Sequence, residues 1–213
     1  MNRPALLAAL TLAAATTVAA ADLAPDVRDE SVAHVRTAVA AGYLAEKEIV
    51  EQATELFGEE ADEKAVRGFV RESATAAFKA HGEAEKSWPA VTDYDRLRTA
   101  FRALERDAIV ARENFTCCQT CGSDEIRGEV EKFKGGPAKG YAFFHQQDTE
   151  RAVTSGGLYL AYGATADSEA AALDVARRIV KAFEDAGLAV EWDGSWNRRI
   201  LVKLNWQRRR PRA

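Results

Sequence analysis

Chemistry in this chain is concentrated in Asn114-Phe115-Thr116-Cys117-Cys118-Gln119-Thr120-Cys121-Gly122, which holds every cysteine of the protein. Cys118 and Cys121 form a C-x-x-C pair, a spacing that can clamp a soft metal ion or cycle as a dithiol, and Cys117 adds a third thiol. Structural zinc takes four ligands, and no second C-x-x-C follows. His145 is the only histidine beyond the helical half, so a zinc site would use Cys118, Cys121 and His145, with Cys117 as a further candidate ligand. Asp148 and Glu150 add carboxylates close by, although Asp148 reads more simply as the N-cap of a helix. The candidate ligand or thiol site is therefore Cys117, Cys118, Cys121, His145 and Asp148. Two other readings stand beside metal: thiol redox chemistry, and small cysteines packed under a loop. Neighbouring residues of an extended chain point to opposite sides, so Cys117 and Cys118 share a ligand only if the loop turns there.

The elements around this stretch decide whether His145 can reach it. A strand over 108–111 precedes the cysteines, Ser123 can cap a helix through 133, and a second strand covers 140–145. If these strands are parallel and joined by that helix, their carboxyl ends share one sheet edge and bring the cysteine loop near His145. Asp148 opens a short helix, 158–162 forms a strand, and Ser168 caps an amphipathic helix ended by Gly187. Strands at 188–192 and 198–206 close as a hairpin. Upstream, apolar residues recur at helical spacing over about 26–41, 45–57, 62–87 and 93–107. The fold class expected is α+β. A helical region over 22–107 is followed, over 108–206, by a mixed five-stranded sheet with helices on one face. Trp192, Trp196 and Trp206 are expected to pack on the sheet or in the core.

The whole chain has 213 residues, 47% of them hydrophobic, and a formal net charge of -4. That is a globular composition with no strong electrostatic drive toward nucleic acid. The front half is acidic and the rear basic, ending in a tail over 207–213 that reads as a solvated terminus, with contact to a phosphate backbone or an acidic partner as the alternative. Residues 1–21 are alanine-rich with one early arginine, the outline of a secretory leader but too weakly apolar for a stable membrane span. An odd cysteine count with a vicinal pair makes a poor disulfide framework, so a cytoplasmic location is favoured and export is the alternative. No G-x-S-x-G, phosphate-binding loop or dinucleotide fingerprint is present. These readings leave a non-enzymatic binding or regulatory protein, taking an unknown protein or small ligand at the cysteine edge. The alternative is a metal- or thiol-dependent enzyme using Cys118, Cys121 and His145.

Five stretches, taken together, resemble a bacterial family of unknown function. They are Trp88-Pro89-Ala90-Val91-Thr92-Asp93, the run from Ala111 to Gly122, Tyr141 to Glu150, Gly156 to Gly163, and Val190 to Gly194. The resemblance covers about 26–208. It implies that the helical and sheet-forming halves are one recurring unit, and it carries no activity or catalytic residue.

Overall fold

The computed structural model describes residues 23–59 and 61–211; the leader expected over 1–21 lies outside the described residues. The chain divides into two compact units: the described residues up to Ser87 together with Arg210 and Pro211, and Trp88–Arg209.

The first unit holds α1 (Pro25–Ala41), α2 (Glu46–Gly58) and α3 (Glu63–Glu85). Each boundary has a local cause. Pro25 stands in the first turn of α1, where its missing N–H costs nothing, and Gly42 closes that helix with a φ of 81°. At α2, the Glu48 carboxylate reaches back 2.7 Å to the Ala45 N–H, and at α3 Asp62 accepts the Ala65 N–H. Val35, Val39, Ile49, Ala53, Val66 and Val70 sit at the centre of one apolar cluster. Arg210 is built into this unit instead of trailing into solvent as the basic-tail reading expects. Its guanidinium donates to the Val39 and Leu44 carbonyls and lies 4.4 Å over the Phe78 ring, while its backbone N–H donates to Glu85. The carbonyls at the end of α1 have no helical partners, and a cation there also answers the helix dipole.

The second unit runs α4 (Asp93–Arg106), β1 (Ile109–Arg112), α5 (Gln119–Glu131), β2 (Gly140–Phe143), α6 (Gln146–Ser155), β3 (Gly157–Ala164), α7 (Glu169–Asp185), β4 (Ala189–Glu191) and β5 (Ile200–Lys203). Its mixed sheet has the order β1-β2-β3-β5-β4. β1 and β2 are parallel, with Ile109 opposite Gly140, and all other pairs are antiparallel. A crossover through α5 is what allows the parallel pair.

Helices cover both faces of this sheet, a correction to the single covered face expected. Phe143 and Phe144 are both fully buried and adjacent, so they point to opposite sides. Phe144 meets Phe101 of α4, which in turn meets Phe183 of α7. Phe143 joins Val110, Ala161 and Ile126 of α5 in a separate cluster. α4 packs on β1 and α7, which places it with the sheet rather than with the three helices before it. Of the tryptophans, Trp206 is buried edge-on to Tyr94 and Phe144, Trp192 meets Tyr162, and Trp196 departs from expectation by standing 58% exposed.

Candidate functional site

The parallel β1–β2 pair brings the two stretches that follow it to one edge, and three contacts tie them together. The Phe115 N–H donates to the Phe144 carbonyl at 2.8 Å, and the Gln146 N–H donates to the Thr116 carbonyl at 3.1 Å. The Thr149 hydroxyl donates to Asn114 Oδ1 at 2.7 Å. Held this way the loop turns sharply: Asn114 and Thr116 adopt φ of 49° and 60°, a left-handed conformation that non-glycine residues rarely take.

That turn changes the helix start. α5 begins at Gln119 with Cys118 at its N-cap, one turn before the Ser123 start expected; Ser123 instead accepts from the Gln119 side chain. The Gly122 N–H donates to the Cys118 carbonyl, the first bond of the helix. Cys118 caps the helix and Cys121 lies in its first turn, so both face the same side, and the turned loop swings Cys117 in beside them. The three sulfurs all lie within 4.8 Å of one another. Cys117 Sγ is 3.5 Å from Cys121 Sγ, and Cys118 Sγ is 3.6 Å from it. Cys117 is exposed and the other two are half-buried, all as free thiols.

Protonation within the cluster is unequal. The Cys121 backbone N–H, then the Cys121 and Cys117 thiols, hold the Cys118 thiol below its ordinary value. Hydrogen bonding to the Cys117 and then the Cys118 sulfur, with the charge those neighbours can carry behind it, pushes Cys121 up to about 12. Cys118 is thus more acidic than Cys121, as a position at a helix N-terminus favours. At neutral pH, limiting iodoacetamide is expected to alkylate Cys118 faster than Cys121 by on the order of tenfold or more. Peptide mass mapping over a pH series checks it: the rate at Cys118 should fall as pH is lowered, and equal labelling of both would contradict the assignment.

His145 and Asp148 stand apart from the sulfurs and engage each other. His145 is the N-cap of α6: its Nδ1 accepts the Asp148 N–H at 3.3 Å, and its Nε2 lies 2.9 Å from Asp148 Oδ2. Asp148 occupies the third helical position rather than the cap, returning a hydrogen bond from the His145 N–H. Burial lowers the His145 pKa; Asp148 opposes that shift and Arg199 and Arg151 reinforce it. With both ring nitrogens turned to Asp148, the convergent group joins Cys117, not His145, to Cys118 and Cys121.

Two residues that sequence reasoning passed over complete the edge. Arg199 donates from Nη1 to Asp148 Oδ1 at 3.0 Å and from Nη2 to Oδ2, and Nη2 also donates to the Tyr159 carbonyl. A carboxylate destined for burial implies a cation, but this one lies 51 positions away and no local pattern marks it. Phe143 is the seat of α5: a Cβ added at Gly122 would lie 2.4 Å from its ring. Only glycine lets the helix carrying the sulfurs approach so closely.

Fold and site together define an α+β protein with an accessible three-thiol cluster at the carboxyl end of a parallel strand pair. The model of the family described as Domain of unknown function (DUF6891) matches residues 24–210, and the chain belongs to that family. No curated protein and no solved structure matches it. No helix among the described residues is long and apolar enough to cross a membrane.

Proposed function

We propose that this is a binding or regulatory protein, not an enzyme, whose ligand is a thiophilic metal ion held by Cys117, Cys118 and Cys121. The observation that carries this reading is the convergence of three sulfurs within 4.8 Å on one accessible edge. Zinc–thiolate bonds of about 2.3 Å place sulfurs roughly 3.8 Å apart around a tetrahedral ion. Separations of 3.5 and 3.6 Å need only small side-chain adjustments to reach that spacing. A purely structural zinc site closes its shell with four protein ligands, whereas three thiolates leave a fourth position open. Zinc suits such a donor set, and a trigonal thiolate site also suits monovalent copper. A water, a small ligand or a partner's side chain would complete the shell, which is how a metal site becomes a binding device. Free thiols at an exposed edge fit a reducing compartment, so the cytoplasm is the location we favour.

The lowered pKa of Cys118 beside Cys121 supports a second reading, dithiol chemistry with Cys118 as the attacking thiolate. One titration separates the two. Reduced protein mixed with cadmium should develop thiolate-to-metal absorbance saturating at about one equivalent, and zinc should displace it. Cys117→Ser, Cys118→Ser and Cys121→Ser should each weaken binding by tenfold or more, on the order of one lost metal–thiolate bond. Absence of a saturating band, or one untouched by these substitutions, would leave the dithiol reading in its place.

A further inference from the structure

Along α5, toward the ends of β2 and β3 opposite the cysteine edge, lies a groove with features that the thiol site does not explain. It runs from Ser123 along α5, over the far ends of β2 and β3, to the turn before α7, and encloses about 1120 Å³. Three aromatic side chains line it: Tyr141, Tyr162 and Trp196. Trp196 is 58% exposed, a large apolar ring left in water at the groove's margin, while its carbonyl accepts from the Tyr162 hydroxyl. The Tyr141 side chain lies directly over Gly163, where an added Cβ would fall 2.5 Å from its hydroxyl.

Charge gives the groove its selectivity. Asp124 and Glu131 project from α5, and Asp167 and Glu169 stand opposite, before and within the first turn of α7. Among the described residues, no ion pair or hydrogen bond engages these four carboxylates. Arg127 is the one cation in the lining, leaving it strongly negative. Carboxylates on α5 and at the start of α7, with three aromatic residues in the same lining, can recognise a cation that carries an apolar stem, through Coulomb attraction and cation–π contact. A bare metal ion would need the carboxylates converged on one point, and here they are distributed along two walls. The size lies at the upper end of the range for ligand pockets, roughly 300–1,000 Å³, and admits an extended chain. Arg127 can then donate to the carbonyls of such a chain.

We propose that this groove docks an extended, lysine- and arginine-bearing peptide segment of a partner protein. The protein's own described arginines at its C-terminal end are engaged elsewhere: Arg208 over the Tyr94 ring, Arg209 with Asp95 and Pro89, and Arg210 in the helical unit. They are not the occupant. The site is separate from the cysteines, so it stands or falls independently of the metal reading.

A short fluorescein-labelled Lys/Arg-rich peptide, titrated by fluorescence anisotropy into the full chain, is the direct test, with an all-glutamate peptide and spermidine alongside. Saturable binding of the basic peptide alone is expected, weakening as salt is raised. Trp196→Ala and the double variant Asp124→Asn/Glu131→Gln lie on the surface and should fold normally, as circular dichroism would verify. Each should weaken the peptide by tenfold or more. Three results would overturn the proposal: no saturable binding of the basic peptide, unchanged affinity in both variants, or spermidine displacing the peptide at equal concentration, which would make the groove a small-cation site.

Discussion

Asp148→Ala is expected to destabilise the sheet-bearing unit by about 3 kcal/mol, within the range for removing one partner of a buried ion pair. Asp148 is 3% exposed and answers three groups at once: the Arg199 guanidinium, the His145 ring and the His145 backbone N–H. Alanine leaves Arg199 without a counter-charge, and its Nε is already buried without a hydrogen-bond partner. The Arg199 side chain is 31% exposed, so water softens the loss and holds the cost near the lower end of that range. Loss of the capping interaction at α6 adds to it, typically about 1 kcal/mol. Urea denaturation followed by a probe within this unit reads the change as a lower midpoint at unchanged slope. The pairing is tested by the double variant Asp148→Ala/Arg199→Met, which should cost less than the sum of the two single changes. Additive costs would show that Asp148 acts as a cap alone.

The second large effect is expected at Phe143. Phe143→Ala should cost about 3–5 kcal/mol, the usual loss for emptying a fully buried aromatic site. The ring lies at 0% exposure between Phe115, Tyr141 and the first turn of α5, and Gly122 sits directly upon it. Removing it takes away the surface that sets the height of that turn above the sheet. Cys118 and Cys121 ride on the same turn, so cadmium binding should weaken in the variant under conditions where circular dichroism still shows it folded. Phe143→Leu, which keeps more of the volume, should recover much of both. Full cadmium affinity in a folded Phe143→Ala protein would show that the loop positions the sulfurs without help from the core.

Much of the architecture was legible because it is encoded locally. Pro25, Gly42, Asp62, Thr92 and Ser168 mark helix boundaries through their own backbone and side-chain chemistry, and the structure uses each of them there. The alternation of strands and helices after 107 carried the mixed five-stranded sheet. Where expectation and structure part, a tertiary contact intervened. Ser123 is a better cap than Cys118 by residue type. The helix nevertheless starts earlier, because loop contacts to Phe144, Gln146 and Thr149 hold the chain turned at Asn114 and Thr116. Trp196 resembles Trp206 in composition and setting, yet one is exposed and the other buried, since burial depends on what the rest of the chain brings alongside.

The sequence by itself therefore determined the elements, their order, and the nine-residue stretch where three thiols must occur. Only the tertiary structure decided which residues meet there. Parallel pairing of β1 and β2 brings His145 to the cysteine edge, but the buried charge of Asp148 claims its ring, and Arg199 arrives from β5's approach to neutralise that charge. The sulfurs are left to one another. Spacing along a chain sets what can be adjacent on one helix turn, whereas burial of a charge is settled by partners that no local pattern can name.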